Sequence, residues 1–167
     1  MVTPVNLGSI EGIRKSGFHG FLPISALQTS RCCEVPNEPG VYLILRPNSA
    51  RPEFLVESVG GHFKRRNPTV LVDRLQENWV EDALILNIGK VGPRKATLKS
   101  RLWQYLRFGQ GEAVGHWGGR YIWQLTQSCN LLVCWKITPV DPRKVEKALI
   151  EEFKTAHGKL PFANMQG

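Results

Sequence analysis

A chain of 167 residues with 42% hydrophobic and 22% charged side chains has a globular composition, long enough for one well-filled core and too short for two ordinary domains. With 22 Lys and Arg against 14 Asp and Glu, the formal charge is +8, which favours a polyanionic partner, nucleic acid before any other. The basic residues are scattered rather than gathered on one amphipathic face, no apolar run approaches the roughly 18 residues of a membrane span, and "MVTPVNLGSIEGIRKSG" lacks a basic segment followed by an apolar one, so neither membrane nor secretory signal is expected and the cytoplasm is the expected compartment.

In chain order, residues 1–12 carry no periodicity and are expected to be loosely held. "GFHGFLPISAL" (17–27) alternates glycine with aromatic residues and reads as a compact packed segment. Pro36 and Pro39 introduce "GVYLIL" (40–45), a strand by its branched and aromatic run. "RPNSARP" is a turn, "EFLVESVGG" (53–61) a shorter strand, and "HFKRRN" a basic patch. Asn67-Pro68 predicts a helix start, with Val70, Leu71, Leu75 and Trp79 facing inward. "ALILNIG" (83–89) is the next strand. Thr97 caps a helix through "LKSRLWQYLRF", a glycine loop surrounds His116-Trp117, and "RYIWQLTQ" and "LLVCWKI" read as two further strands. Asp141-Pro142 opens the last helix and Gly158 ends it. Together these elements make an α+β or mixed α/β domain.

The four cysteines, Cys32, Cys33, Cys129 and Cys134, do not have a standard zinc spacing and are expected to be reduced thiols. Polar residues on apolar faces are more informative. On the last helix Val145, Leu149, Phe153 and Ala156 form a stripe at helical spacing, and Glu146 points along that side. A carboxylate turned toward a sheet needs a cation, whether a metal or an arginine. On the preceding helix Leu98, Leu102 and Leu106 face inward with Tyr105, and Arg101 sits one turn before Tyr105 at the margin of that face. His116, in the glycine loop, is a further candidate polar group.

"NIGK" at 87–90 suggests a phosphate loop, but neither the Walker pattern nor the G-x-G-x-x-G turn is present. The ordered set does match something else: G-V-Y at 40–42, L-N-I-G-K at 86–90, the "LKSRLWQY" helix at 98–105, E-K-A-L-I at 146–150 and F-A-N at 162–164. Over residues 39–164 the chain resembles the GIY-YIG nuclease family, which includes phage homing endonucleases, some restriction enzymes and the nuclease domain of the bacterial excision-repair incision subunit.

The resemblance implies a single mixed or antiparallel central sheet flanked by helices. An N-terminal extension would occupy 1–35 and the nuclease domain 36–167, with a β/α insertion at about 50–80 between the first two motif strands. It implies a divalent-metal-dependent endonuclease acting on DNA, with one Mg²⁺ or Mn²⁺ per site held by Glu146. Tyr42 would contact or deprotonate the attacking water, with Lys90, Arg101 or the metal lowering its pKa, and Arg101 would hold the scissile phosphate. Lys90 and Tyr105 match positions of the repair enzymes, and Asn164 would be a supporting contact. Asn87 stands where the family pattern has tyrosine. That departure motivates the alternative of a catalytically weakened nucleic-acid-binding module with the same fold. Lys64, Arg65, Arg66, Arg94 and Lys95 would supply non-specific phosphate contacts. Trp123 and Trp135 are expected in the core rather than as stacking platforms. A protein partner or homodimer is compatible with this reading.

Overall fold

The six residues of "GVYLIL" are all buried, as a strand covered on both faces requires. They form the centre of the sheet in the computed structural model, which describes residues 6–165. The strands are β1 (His19–Pro23), β2 (Gly40–Leu45), β3 (Ile85–Val91) and β4 (Leu132–Ile137). They pair in the order β1-β4-β2-β3, and every pairing is antiparallel. Helices α1 (Ile10–Lys15), α2 (Ile24–Ser30), α3 (Val72–Asn78), α4 (Leu98–Gly109) and α5 (Pro142–His157) complete the α+β architecture among the described residues. None of them is long and apolar enough to cross a membrane.

Alternation along the strands divides the core. Tyr42, Ile44, Val133 and Trp135 pack with α2 and α4 on one face, while Val41, Leu43, Leu45 and Cys134 pack with Ile13 of α1 and Leu149, Ile150 and Phe153 of α5 on the other. An irregularity between Ile44 and Leu45 shifts the β2–β3 register, setting Ile44 opposite Asn87 and Leu45 opposite Ile85.

The two long helices start and stop where their sequences say. Thr97 and Ser100 form a reciprocal capping box at the start of α4. Asp141 caps α5 ahead of Pro142, and Gly158 closes it in the left-handed region at φ 75°. Leu98, Leu102, Tyr105 and Leu106 are buried, as predicted for the α4 face. On α5 Ala156 is exposed, so the apolar stripe ends at Phe153.

Several expectations are corrected. Residues 10–15 form α1, capped by the Ser9 side chain, so the loose segment does not extend to 12; residues 1–5 lie outside the described range. "EFLVESVGG" contributes one isolated bridge, Phe54 to Leu125, rather than a strand. "RYIWQLTQ" is not a strand either: residues 120–124 form a short 3₁₀ helix with Tyr121, Ile122, Trp123 and Gln124 buried. Trp123 is therefore core, as expected, but not within a strand. Asn67 does not cap a helix. Its Oδ1 accepts from Thr69 N within a turn, and α3 starts only at Val72.

The reason for the late start of α3 lies in one buried side chain. Gln124 Oε1 accepts from Val70 N, and its Nε2 donates to the carbonyls of Val70 and Leu55. Val70 is thereby held outside the helix, Leu71 follows as its N-cap at ψ 135° and 81% exposure rather than facing inward, and helix formation waits for the next residue. Leu75 is buried and Trp79 packs on Phe54 and Phe162, as predicted.

All four thiols are free. Cys32 and Cys134 are buried, and burial first of all pushes both pKa values up, that of Cys32 to about 12. Cys33 is exposed but its thiol donates to Glu34 Oε1 at 2.8 Å, which holds the proton on. An aromatic disulfide reagent is expected to label exposed Cys129 first and Cys33 more slowly, with Cys32 and Cys134 reacting only in denaturant. Mass mapping of the labelled peptides over time checks this order.

Candidate active-site cleft

A cleft of about 560 Å³ runs along the β3 side of the sheet, lined by Tyr42, Asn87 to Lys90, Arg101, His116 to Arg120, Glu146 and Ala163 to Met165. Six predicted site residues meet there from six parts of the chain: Tyr42 from β2, Lys90 from β3, Arg101 from α4, His116 from the glycine loop, Glu146 from α5 and Asn164 from the C-terminal segment.

Tyr42 lies opposite Gly89 in the β2–β3 register. A methyl group on Gly89 would run into the Tyr42 ring, so only glycine lets the tyrosine lie across the neighbouring strand. The next residue, Lys90, alternates to the opposite face, the one α5 covers. Tyr42 is 5% exposed. Burial raises its pKa, Arg101 opposes that rise and Glu146 adds to it. Of the lowering expected from Lys90 and Arg101 only that of Arg101 is present, and burial outweighs it, so at neutral pH Tyr42 is a protonated phenol rather than a ready base.

Glu146 is half-buried. Desolvation raises its pKa, partly offset by Lys90 and Arg143. Among the described residues it belongs to no salt bridge. Arg101 Nη1 donates to Gln104 Oε1 at 3.2 Å, and it too has no carboxylate within salt-bridge distance among the described residues. An anion and a cation therefore face one cleft without cancelling each other directly.

Tyr105 is not in the cleft wall. It is wholly buried behind it, with its hydroxyl accepting from Asn87 Nδ2 at 2.9 Å and donating to the Gly119 carbonyl at 2.9 Å. Its ring meets Tyr42 edge-on at 6.1 Å and stacks on His116 at 4.0 Å between centroids. Tyr105 thus positions the cleft residues Tyr42 and His116, and Asn87 serves that framework.

His116 is 3% exposed, and its Nδ1 has no hydrogen-bond partner among the described residues. Burial first, then Arg101, drives its pKa down to about 3, so the imidazole is neutral. A folded pKa below the unfolded value of about 6.5 means that the unfolded chain binds the extra proton. Stability from this group is then complete above about pH 6.5 and falls as pH drops toward about 3. His116→Phe, which keeps the stack on Tyr105, is expected to flatten the acid limb of stability by on the order of a few kcal/mol. Urea titrations between neutral pH and pH 4 read this directly.

Asn164 clamps rather than projects. Its Oδ1 accepts from Ile88 N and its Nδ2 donates to Ile88 O, both at 2.8 Å, while Ala163 N donates to Leu86 O. It fixes the C-terminal segment along β3.

The predicted phosphate contacts divide. Arg66 is exposed and does not line the cleft, but its guanidinium lies 4.5 Å from the ring of the cleft residue Trp117. Lys64, Arg65, Arg94 and Lys95 are exposed and do not line it. Sequence reasoning missed Arg120 and Trp117 as cleft residues. Trp117 adjoins His116 in a glycine loop, a signal that could have been used; Arg120 lay in a segment read as a strand. No protein-family model, no curated protein and no solved structure matches the chain.

Proposed function

We propose that this chain is a divalent-metal-dependent endonuclease that hydrolyses phosphodiester bonds in DNA, built on a GIY-YIG-like arrangement. The observation that supports it is the meeting of Tyr42, Lys90, Arg101, His116, Glu146 and Asn164 in one cleft, from positions far apart in sequence.

The residues fit a single hard ion. Glu146 is a half-buried carboxylate with no salt bridge among the described residues, a charge that calls for a cation. The described residues contain no group of three or more His, Cys, Asp and Glu side chains that could cage an ion; Mg²⁺ needs no such cage, because it binds through one or two carboxylates and keeps several waters. Held by Glu146, Mg²⁺ or Mn²⁺ would supply Lewis-acid polarisation of the phosphodiester and acidification of water.

The chain's own groups do the rest. Arg101 holds the scissile phosphate and stabilises the charge that develops on it. Lys90 balances Glu146 and adds positive potential beside the leaving oxygen. Tyr42 keeps its proton and orients the attacking water by hydrogen bonding. Neutral His116 offers a ring nitrogen that accepts a hydrogen bond without adding charge next to Arg101. The net charge of +8 favours association with the polyanion.

Supercoiled plasmid incubated with Mg²⁺ or Mn²⁺ tests the proposal. Nicking that stops in chelator, and falls at least about 10²-fold in Arg101→Ala, is the expected result. The second reading, a binding module with weakened turnover, is favoured by Asn87, whose amide is committed to Tyr105 where the family pattern has a tyrosine. Plasmid binding without nicking under any divalent ion would favour it.

A further inference from the structure

One part of the cleft wall has no role in the chemistry above. Trp117 and Arg120 line it, and Arg66, itself outside the lining, lies against the Trp117 ring. The Arg66 guanidinium lies 4.5 Å from the centre of the Trp117 ring. That of Arg120 lies 4.7 Å from the same ring and 5.4 Å from the ring of Tyr121.

Two guanidiniums on one indole repel each other. Burial, together with the nearby cations Arg66 and Arg74, lowers the Arg120 pKa, with Tyr121 opposing. Among the described residues none of Arg66, Arg74 and Arg120 has a carboxylate within salt-bridge distance. Positive charge gathered on an aromatic ring at a cleft, with no carboxylate among the described residues in salt-bridge contact, suits a ligand that is both anionic and flat. A nucleotide is such a ligand: its base takes the place of the exposed Arg66 guanidinium on the ring, and its phosphate answers the displaced Arg66 and Arg120.

We infer that Arg66, Trp117 and Arg120 form a subsite for an unpaired nucleotide next to the reacting phosphodiester. The requirement that the nucleotide be unpaired follows from stacking: inside a duplex both faces of a base are covered by its neighbours, so Trp117 can take only a base that is single-stranded or turned out of the helix. The inference rests on the nuclease reading for its placement beside a cut, and it narrows the preferred substrate to DNA with unpaired nucleotides, such as a flap, a gap or the transiently opened segments of a supercoiled plasmid.

The test is binding in chelator, where cleavage plays no part. A fluorescent oligothymidylate and a duplex of equal length are titrated at one fixed salt concentration, with anisotropy as readout. Trp117→Ala is expected to weaken oligothymidylate binding about tenfold and duplex binding less than twofold, while Trp117→Phe keeps most of the affinity. Arg66 is exposed and no hydrogen bond of its side chain is found among the described residues, so Arg66→Ala provides a variant that folds; it is expected to weaken oligothymidylate binding and to reduce its salt slope by about one.

The subsite is overturned if Trp117→Ala weakens both ligands equally, or if neither variant changes oligothymidylate binding. The two readings fail separately. Plasmid nicking by wild type with Trp117→Ala binding unchanged removes the subsite alone. Selective loss of oligothymidylate binding in a protein that never cuts removes the nuclease and leaves the subsite.

Discussion

Glu146→Gln is expected to abolish metal-dependent cleavage while leaving the fold intact and DNA binding in chelator unchanged or slightly tighter. The substitution keeps shape and removes one negative charge. If Glu146 holds the ion, loss of that charge lowers the cleavage rate by at least about 10²–10³-fold, the scale seen when a group stabilising transition-state charge is removed. Stability moves the other way. Desolvation raises the Glu146 pKa in the folded state. A raised value means a contribution fully present below the unfolded pKa and lost as pH rises through the folded one. At neutral pH the ionised carboxylate is therefore a cost, and glutamine removes it. Expected together are a lost activity and a melting temperature equal to or above wild type, the pattern of a residue kept for function. Wild-type cleavage by Glu146→Gln would sink the metal assignment.

Gly89→Ala is expected to damage both stability and turnover through one neighbour. The added methyl would occupy space taken by the Tyr42 ring. Tyr42 has no easy retreat, because it meets Tyr105 edge-on and the Tyr105 hydroxyl is tied to Asn87 and to the Gly119 carbonyl. Overpacking of this kind costs about 1–3 kcal/mol, measurable by urea unfolding. A displacement of Tyr42 by about 1 Å in the cleft is expected to reduce cleavage about 10²-fold. A double-mutant cycle separates cause from coincidence: in a Tyr42→Ala background, Gly89→Ala should cost far less of either. Equal losses in both backgrounds would show that Gly89 acts elsewhere.

How much of this was legible follows from where each element gets its partners. β2, β3, α4 and α5 were readable because their signals are local: apolar runs on the strands, the Thr97 capping box, Asp141-Pro142 and Gly158 on the helices. The site inherits that legibility, since Tyr42, Lys90, Arg101 and Glu146 sit on those four elements. β1 was missed because it is short, holds Gly20 and Pro23, and pairs with β4 across more than half the chain. "RYIWQLTQ" misled because its aromatic and branched residues mimic a strand, whereas Gln124 is buried to serve the backbone of Leu55 and Val70. The same long-range bonds defeated the Asn67 helix start. No local pattern announces a glutamine that will satisfy two distant segments. Nor could spacing tell that Tyr105 lies behind the cleft rather than in it, because its depth is set by Asn87 and Gly119.

The clamp of Asn164 on Ile88 has a consequence for assembly. β3 is an outer strand of the sheet, and its free backbone groups at Leu86 and Ile88 are already taken by Ala163 and Asn164. At the other margin β1 carries a register break between Gly20 and Leu22, with Phe21 in the left-handed region at φ 56° and Pro23 lacking an N–H. Both margins are obstructed to an incoming strand, one by the chain's own tail over Leu86 and Ile88 and one by irregularity. Strand-to-strand pairing between copies is thereby disfavoured, and Asn164→Ala, which bares Ile88, is expected to raise strand-mediated aggregation.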